Sequence, residues 1–243
     1  MRIPKKVEER FSTSVTKFKR VLKKALDKDV NESDTVAIVT DILAEVFGYD
    51  KYEEVTSEYQ IKHQFCDLAI KVNNQIRFLI EVKAIGIGLK DNHLDQALTY
   101  GAKEGIDWII LTNGIMWDVY KVSMGQNLAA VPLCSINFLE LSMRDEENKN
   151  SLFILCKEGL TSDAIAEFHE RVNLVNKYTI SAIISNDSIV NSIRLQLRKL
   201  SSGLKISNEE VAEILMEEVI KRDILDDDHF KKAKTKVKRA NGK

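Results

Sequence analysis

Phe65-Cys66-Asp67-Leu68-Ala69-Ile70-Lys71-Val72, then Asn73-Asn74-Gln75, then Ile76-Arg77-Phe78-Leu79-Ile80-Glu81-Val82-Lys83-Ala84: this stretch decides how the chain is read. Successive side chains on a strand face opposite ways. Cys66, Leu68, Ile70 and Val72 therefore share a face of the first run, and Ile76, Phe78, Ile80 and Val82 share a face of the second. Asn73-Asn74 marks a turn. The register has to set both apolar faces on one side. Pairing Val72 with Ile76 across a three-residue loop does this; pairing Val72 with Gln75 does not. The first pairing puts Asp67 opposite Glu81, with Lys83 on their side. Neighbouring carboxylates across a strand pair repel and destabilise the sheet. A divalent cation between them removes the conflict, and oxygen ligands suit Mg²⁺ or Mn²⁺. Lys83 is then placed to stabilise charge developing on a phosphorane or to orient an attacking water. Glu-x-Lys also arises by chance, as at Glu147-Asn148-Lys149. The plain alternative is an outward-facing strand pair, against which Ala69 and Leu79 sit on the same face.

Upstream, Val7, Phe11, Val15, Phe18, Leu22 and Leu26 recur at helical spacing over residues 5–28. A second helix is expected over 34–47, capped by Asn31 or Ser33 and stopped by Gly48. Residues 55–61 have strand character. Downstream, 92–103 predicts a short helix ending near Gly105. Strands are expected at 107–112 and 116–122, joined by a two-residue turn at Asn113-Gly114. Residues 130–141 read as an edge strand that Pro132 keeps from the centre. Gln96 and Tyr100 share a face of the short helix. Gln96 is placed to bond a phosphate or a metal's water, with Tyr100 in support. The alternative is a surface helix packing Leu94, Leu98 and Ala102.

Residues 144–150 are polar and read as a linker between a domain at 1–143 and a helical region at 150–243. Helices are expected over 151–158, 162–178, 187–200 and 207–222, followed by a basic tail. The net charge of −1 conceals an uneven distribution. Residues 1–28 hold ten Lys/Arg against three Asp/Glu, and 231–243 hold seven Lys/Arg and no acid. Such ends either solubilise the chain or contact a polyanion. No apolar run approaches the ~20 residues that span a bilayer, and no apolar signal segment follows Met1, so no membrane association is expected. Cys66, Cys134 and Cys156 read as buried thiols of a reducing, cytoplasmic compartment. They lack zinc-ligand spacing, and no G-x-x-x-x-G-K-[ST] loop encodes a P-loop motor.

Taken together, Asp67, Glu81-Val82-Lys83 and Gln96-x-x-x-Tyr100 resemble the PD-(D/E)xK nuclease superfamily. More narrowly, the chain is similar to the amino-terminal nuclease domain of type I restriction enzyme R subunits. The resemblance covers residues 30–122 and includes Asn31-Glu-Ser-Asp-Thr35, Gly48-Tyr49, Glu58-Tyr59 and Leu111-Thr-Asn-Gly114 with Trp117 and Tyr120. It implies an α/β, restriction-endonuclease-like fold, a mixed central sheet flanked by helices, here followed by an all-helical carboxy-terminal region. It implies that Asp67, Glu81 and the carbonyl of Val82 bind Mg²⁺, that Lys83 assists the attacking water, and that Gln96 and Tyr100 support substrate. Glu32 matches the family's helix acid, which reaches the metal through water; Glu45 is the weaker candidate for that place. The carboxy-terminal helices match no part of the family.

The expected function is Mg²⁺-dependent hydrolysis of DNA phosphodiester bonds in the restriction of foreign DNA. Partners implied are DNA, a second copy of the chain and a separate restriction subunit. A nuclease fold that holds nucleic acid or a protein without cutting is the alternative; the intact Asp67, Glu81 and Lys83 set argues against it. A purely structural assembly protein rests only on the apolar helical stripes.

Overall fold

The computed structural model describes residues 1–61, 64–124, 128–201 and 203–241. The chain divides into two compact units, Met1–Phe168 and His169–Lys243. The first opens with two helices, α1 (Lys5–Asp27) and α2 (Glu32–Glu45). Asn31 caps α2, its side chain accepting from Asp34 N–H. Strands β1 (Val55–Ile61), β2 (Gln64–Val72) and β3 (Gln75–Val82) follow, then α3 (Asp95–Glu104), β4 (Trp108–Thr112), β5 (Met116–Met124) and β6 (Leu128–Asn137). Helices α4 (Glu146–Phe153) and α5 (Lys157–Thr161) complete the unit. The six strands form one mixed sheet in sequence order. Only β3 and β4 are parallel, the pair that needs a crossover, and α3 supplies it.

Alternation along the strands builds two cores. On one face Leu68, Ile70, Phe78, Ile80, Trp117 and Val119 pack with α1, α2 and α4. On the other, Ala69, Leu79, Ile109, Leu111 and Val122 pack with Leu94, Ala97 and Tyr100 of the α3 segment. Helix α1 buries Val7, Phe11, Val15, Phe18, Leu22 and Ala25, and burying each large apolar side chain stabilises by roughly 1.5–3 kcal/mol. Arg10 fastens α1 to α5, donating to both carboxylate oxygens of Glu158 at 2.7 Å and to the Val46 carbonyl at 2.9 Å.

The central hairpin differs from its expected form. Val72 pairs with Gln75 across Asn73-Asn74, whose φ values of 51° and 64° are those a type I′ turn demands. The register shifts between Ile70 and Lys71, leaving Arg77 as the extra residue on β3, so that Ile70 faces Phe78 and Leu68 faces Ile80. The bulge restores the apolar faces that the tight turn alone would misalign. The second turn is also displaced by one residue. Gly114, φ +83°, is the first central residue and Asn113 flanks it, its Oδ1 accepting from the N–H groups of Ile115 and Met116. A Cβ on Gly114 would lie 3.2 Å from Leu22 Cδ2, so close packing as well as φ requires glycine there. Pro132 sits on β6 at the sheet edge, as its missing N–H requires.

Residues 146–150, expected to be linker, begin α4, capped by Asp145. The expected 162–178 helix is two, α6 (Ala164–Leu174), which begins in the first unit, and α7 (Lys177–Ile184) in the second, because the Asn176 side chain caps α7 through Thr179 N–H. Helices α8 (Asp187–Leu200), α9 (Asn208–Ile214) with a π-helical turn (Leu215–Val219), α10 (Arg222–Leu225) and α11 (Asp228–Asn241) follow. The basic tail is therefore a helix: Phe230 and Ala233 of α11 pack with Ala182, Ile220 and Ile224. Among the described residues no helix is long and apolar enough to cross a membrane.

Candidate active site

The ends of β2 and β3 nearest α2 bring the sequence-predicted acids together. The β2–β3 ladder closes at Leu68 and Ile80. Just beyond it, Val82 N–H donates to Asp67 Oδ2 at 2.7 Å. Cys66 joins the core on the α3 side while Leu68 belongs to the opposite one, so strict alternation breaks between them. That break corrects the expected shared face for Cys66. It also lets Asp67 line a groove against α2. On β1, Glu58 lies between Ser57, paired with Leu68, and Tyr59, paired with Cys66. It has φ +50° and stands across from Asp67.

Lys83 ties the acids together. Its Nζ donates to Glu81 Oε1 at 2.7 Å and lies 3.7 Å from Glu32 Oε2. Glu32 is the first residue of α2, so helix α2 brings its carboxylate to the sheet end. Glu45, at the other end of α2, pairs with Lys17 instead. An open groove of about 420 Å³ is lined by Glu32, Ser33, Val36, Ser57, Glu58 and Asp67. A larger groove of about 520 Å³ lies at the opposite end of β3 and β4, around Arg77, Glu104 and Asp107, away from these carboxylates.

Burial raises the Asp67 carboxyl above its ordinary value, and Glu32 and Glu58 add to the rise; the Val82 N–H and Lys83 oppose it without prevailing. Burial likewise raises Glu81, with Asp67 and Glu32 adding repulsion against the opposing Lys83 bond. For Lys83, burial works to lower the pKa, but the bond to Glu81 and the charges of Glu81, Glu32 and Asp67 outweigh it and raise it. Lys83 is thus held as an ammonium. It is suited to donating and to stabilising negative charge, not to accepting a proton. Next to the carboxylates, the Cys66 thiol is pushed up to about 12, chiefly by burial, and is inert as a nucleophile.

Tyr100 is buried in the α3-side core rather than on the groove. Gln96 falls within α3, and its side chain lies outside the described residues. Glu58 received no role from the sequence; the signal was the Glu58-Tyr59 pair on a strand antiparallel to the one bearing Asp67.

Among the described residues no three His, Cys, Asp or Glu side chains converge closely enough to cage a metal ion. Mg²⁺ does not need such a cage. It is commonly held by one or two carboxylates, retaining waters and taking up substrate phosphate oxygens. Asp67, half-buried, and Glu81, buried, are two such carboxylates, both raised in pKa, an environment a cation would relieve. Oxygen donors of this kind suit Mg²⁺ or Mn²⁺, and Asp67 and Glu81 are the side chains that could hold such an ion.

No curated protein and no solved structure matches the chain. A family model does match, over residues 37–136, a span from within α2 to the end of β6 that includes Asp67, Glu81, Val82, Lys83, Gln96 and Tyr100. It excludes α1, Glu32 and everything beyond β6. Residues 37–136 are similar to the N terminus of the type I restriction enzyme R protein, the family that the order of the motifs resembles.

Proposed function

We propose that this protein is a metal-dependent endonuclease that hydrolyses DNA phosphodiester bonds, acting in restriction of foreign DNA. One observation carries the reading: Asp67, Glu81 and Lys83, from two strands, meet at one sheet end beside a groove that Glu32 enters from α2. The family match over residues 37–136 supports it. Asp67 is held in place by the Val82 N–H, and Glu81 by Lys83. Lys83, an ammonium bonded to Glu81 beside the groove, would stabilise charge growing on a bound phosphate and so favour the transition state over the ground state. When bound, Mg²⁺ or Mn²⁺ would supply a more acidic water and neutralise phosphate charge. Gln96 and Tyr100 act as substrate supports in this reading, Tyr100 by packing the helix that carries Gln96. A second copy of the chain and a separate restriction subunit are the protein partners proposed.

A second reading, a nuclease fold that binds without cutting, is favoured by the way the site is satisfied internally: Lys83 is bonded to Glu81 and Asp67 to backbone. Incubating the full chain with mixed plasmid and phage DNA in Mg²⁺ or Mn²⁺, beside Lys83→Ala, separates the two. The nuclease reading expects metal-dependent cutting that Lys83→Ala abolishes. Absence of cutting on every substrate, together with no metal binding by calorimetry, overturns it.

A further inference from the structure

The outer face of α1 lies outside the matched family segment and has no role in the site as described. Its charge is out of keeping with its surroundings. Residues 1–28 hold ten Lys/Arg and three Asp/Glu, whereas 29–168 hold eleven Lys/Arg and twenty-three Asp/Glu. The basic surplus of this unit is therefore concentrated in α1 and the residues preceding it.

The cations of α1 are not equivalent. Lys5 pairs with Glu9, Arg10 with Glu158 and Lys17 with Glu45, and Lys19 donates to the Leu141 carbonyl. Arg20, Lys23, Lys24 and Lys28 are exposed and make no ion pair among the described residues. Asp27 is the acid interspersed with them. A helix C-terminus favours cations in its last turn, which accounts for Lys24 and the capping Lys28 but not for Arg20 and Lys23. Like charges at i,i+4, as in Arg20–Lys24 and Lys24–Lys28, weaken a helix, and Asp27, four residues after Lys23, offsets only part of this.

The cluster stands at the site's end of the helix. Leu22 packs on Gly114, in the turn that follows β4. A Cβ on Gly86, in the loop leaving Lys83, would lie 2.5 Å from Asp29 Oδ1. Lys28 precedes Glu32 by four residues, at most ~14 Å of extended chain. Arg20 to Lys28 spans ~12 Å of helix axis, a length over which duplex DNA presents about seven charges.

We infer that Arg20, Lys23, Lys24 and Lys28 form the track along which the phosphate backbone of duplex DNA is held as it enters the groove at Asp67 and Glu81. The inference rests on the nuclease reading for the identity of the polyanion, and its test does not depend on cleavage. The full chain is titrated against a fluorescein-labelled duplex of about 20 base pairs, two helical turns, in EDTA over a range of salt. A variant with Arg20, Lys23, Lys24 and Lys28 changed to Gln is compared with one carrying Lys232, Lys234, Lys238 and Arg239→Gln on α11, an equal loss of charge. Each phosphate contact contributes about 0.9 to the slope of log K against log salt, so the α1 variant should lose up to about 3.6. The α11 variant should lose distinctly less. Unchanged tryptophan fluorescence establishes that the α1 variant is folded. Duplex binding with an unaltered slope in the α1 variant, or an equal loss in both variants, overturns the track while leaving the nuclease reading standing. The same slope change with single-stranded RNA and none with duplex DNA overturns it in favour of a different polyanion.

Discussion

Replacing Asp67 by Asn should stabilise the metal-free protein, although it removes a buried hydrogen-bonding charge. Asn keeps an acceptor oxygen for the Val82 N–H, now 2.7 Å from Asp67 Oδ2. The loss is the charge-assisted share of that bond, about 1 kcal/mol, the difference between hydrogen bonds to charged and to neutral groups. The gain is relief from burying a charge that Glu32 and Glu58 also repel. The direction of the pKa decides the sign: Asp67 lies above its ordinary value, so the fold prefers its neutral form, and a permanently neutral residue should gain. The net gain should be small, because the lost share of the hydrogen bond offsets part of the relief, and its sign is what the raised pKa fixes. Asp67→Ala should behave oppositely. It strands the Val82 N–H and costs about 1–3 kcal/mol. The assay is urea unfolding in EDTA followed by tryptophan fluorescence. Both tryptophans, Trp108 and Trp117, are buried in the first unit, so the signal reports that unit alone. Adding Mg²⁺ should then stabilise the wild type by mass action and leave Asp67→Asn unmoved. Destabilisation of Asp67→Asn in EDTA, or an equal response of both proteins to Mg²⁺, would refute the reasoning.

Arg10→Ala should cost about 1.5–3 kcal/mol, the worth of hydrogen bonds to charged groups, because it breaks a two-pronged contact with Glu158 and frees the Val46 carbonyl; urea unfolding measures it. The same variant should alter the acid limb. Burial raises Glu158, but the Arg10 hydrogen bond, its own backbone N–H and the charges of Arg10 and Lys6 together outweigh it and hold the carboxyl below its ordinary value. Its contribution is therefore present above the unfolded-state pKa and lost as pH falls through the folded one. Stability of the wild type should fall more steeply below about pH 4.3 than that of Arg10→Ala, and parallel curves would count against the assignment. Gly114→Ala should cost about 1–2 kcal/mol, since φ +83° is unfavourable for an L side chain and Leu22 lies in the way; an unfolding midpoint equal to wild type would show that the turn adopts another conformation.

Much of the first unit was legible because its signals are local. The α1 stripe from Val7 to Leu22, the Asn31 cap and the strands β2 and β3 each lie within a few residues and formed where expected, although Ala25 rather than Leu26 closes the stripe and alternation breaks at Cys66 and Arg77. The misreadings came from irregularities in otherwise regular elements. A bulge at Arg77 permits the two-residue Asn73-Asn74 turn that a perfect ladder would forbid. Asn176, a cap inside an apolar run, divides one expected helix into two. Lysines dominate 231–241 and hid the spacing of Phe230, Ala233 and Val237, which turns that segment into a packed helix. None of the three disturbs the period of the flanking residues, so periodicity does not reveal them.

For the candidate site the division is similar. Residue types, order and spacing in the sequence by themselves determined that a carboxylate on one strand and Glu-x-Lys on the next would be neighbours, because an antiparallel hairpin admits few registers that bury both apolar faces. The tertiary structure alone decided what surrounds them. It broke alternation at Cys66 so that Asp67 meets the groove, set Glu58 across from Asp67, brought Glu32 from α2 within 3.7 Å of Lys83 and buried Tyr100. Burial and through-space charge set the pKa of these groups, and both depend on which elements pack over the sheet end, a property of the folded surface rather than of any local run of residues.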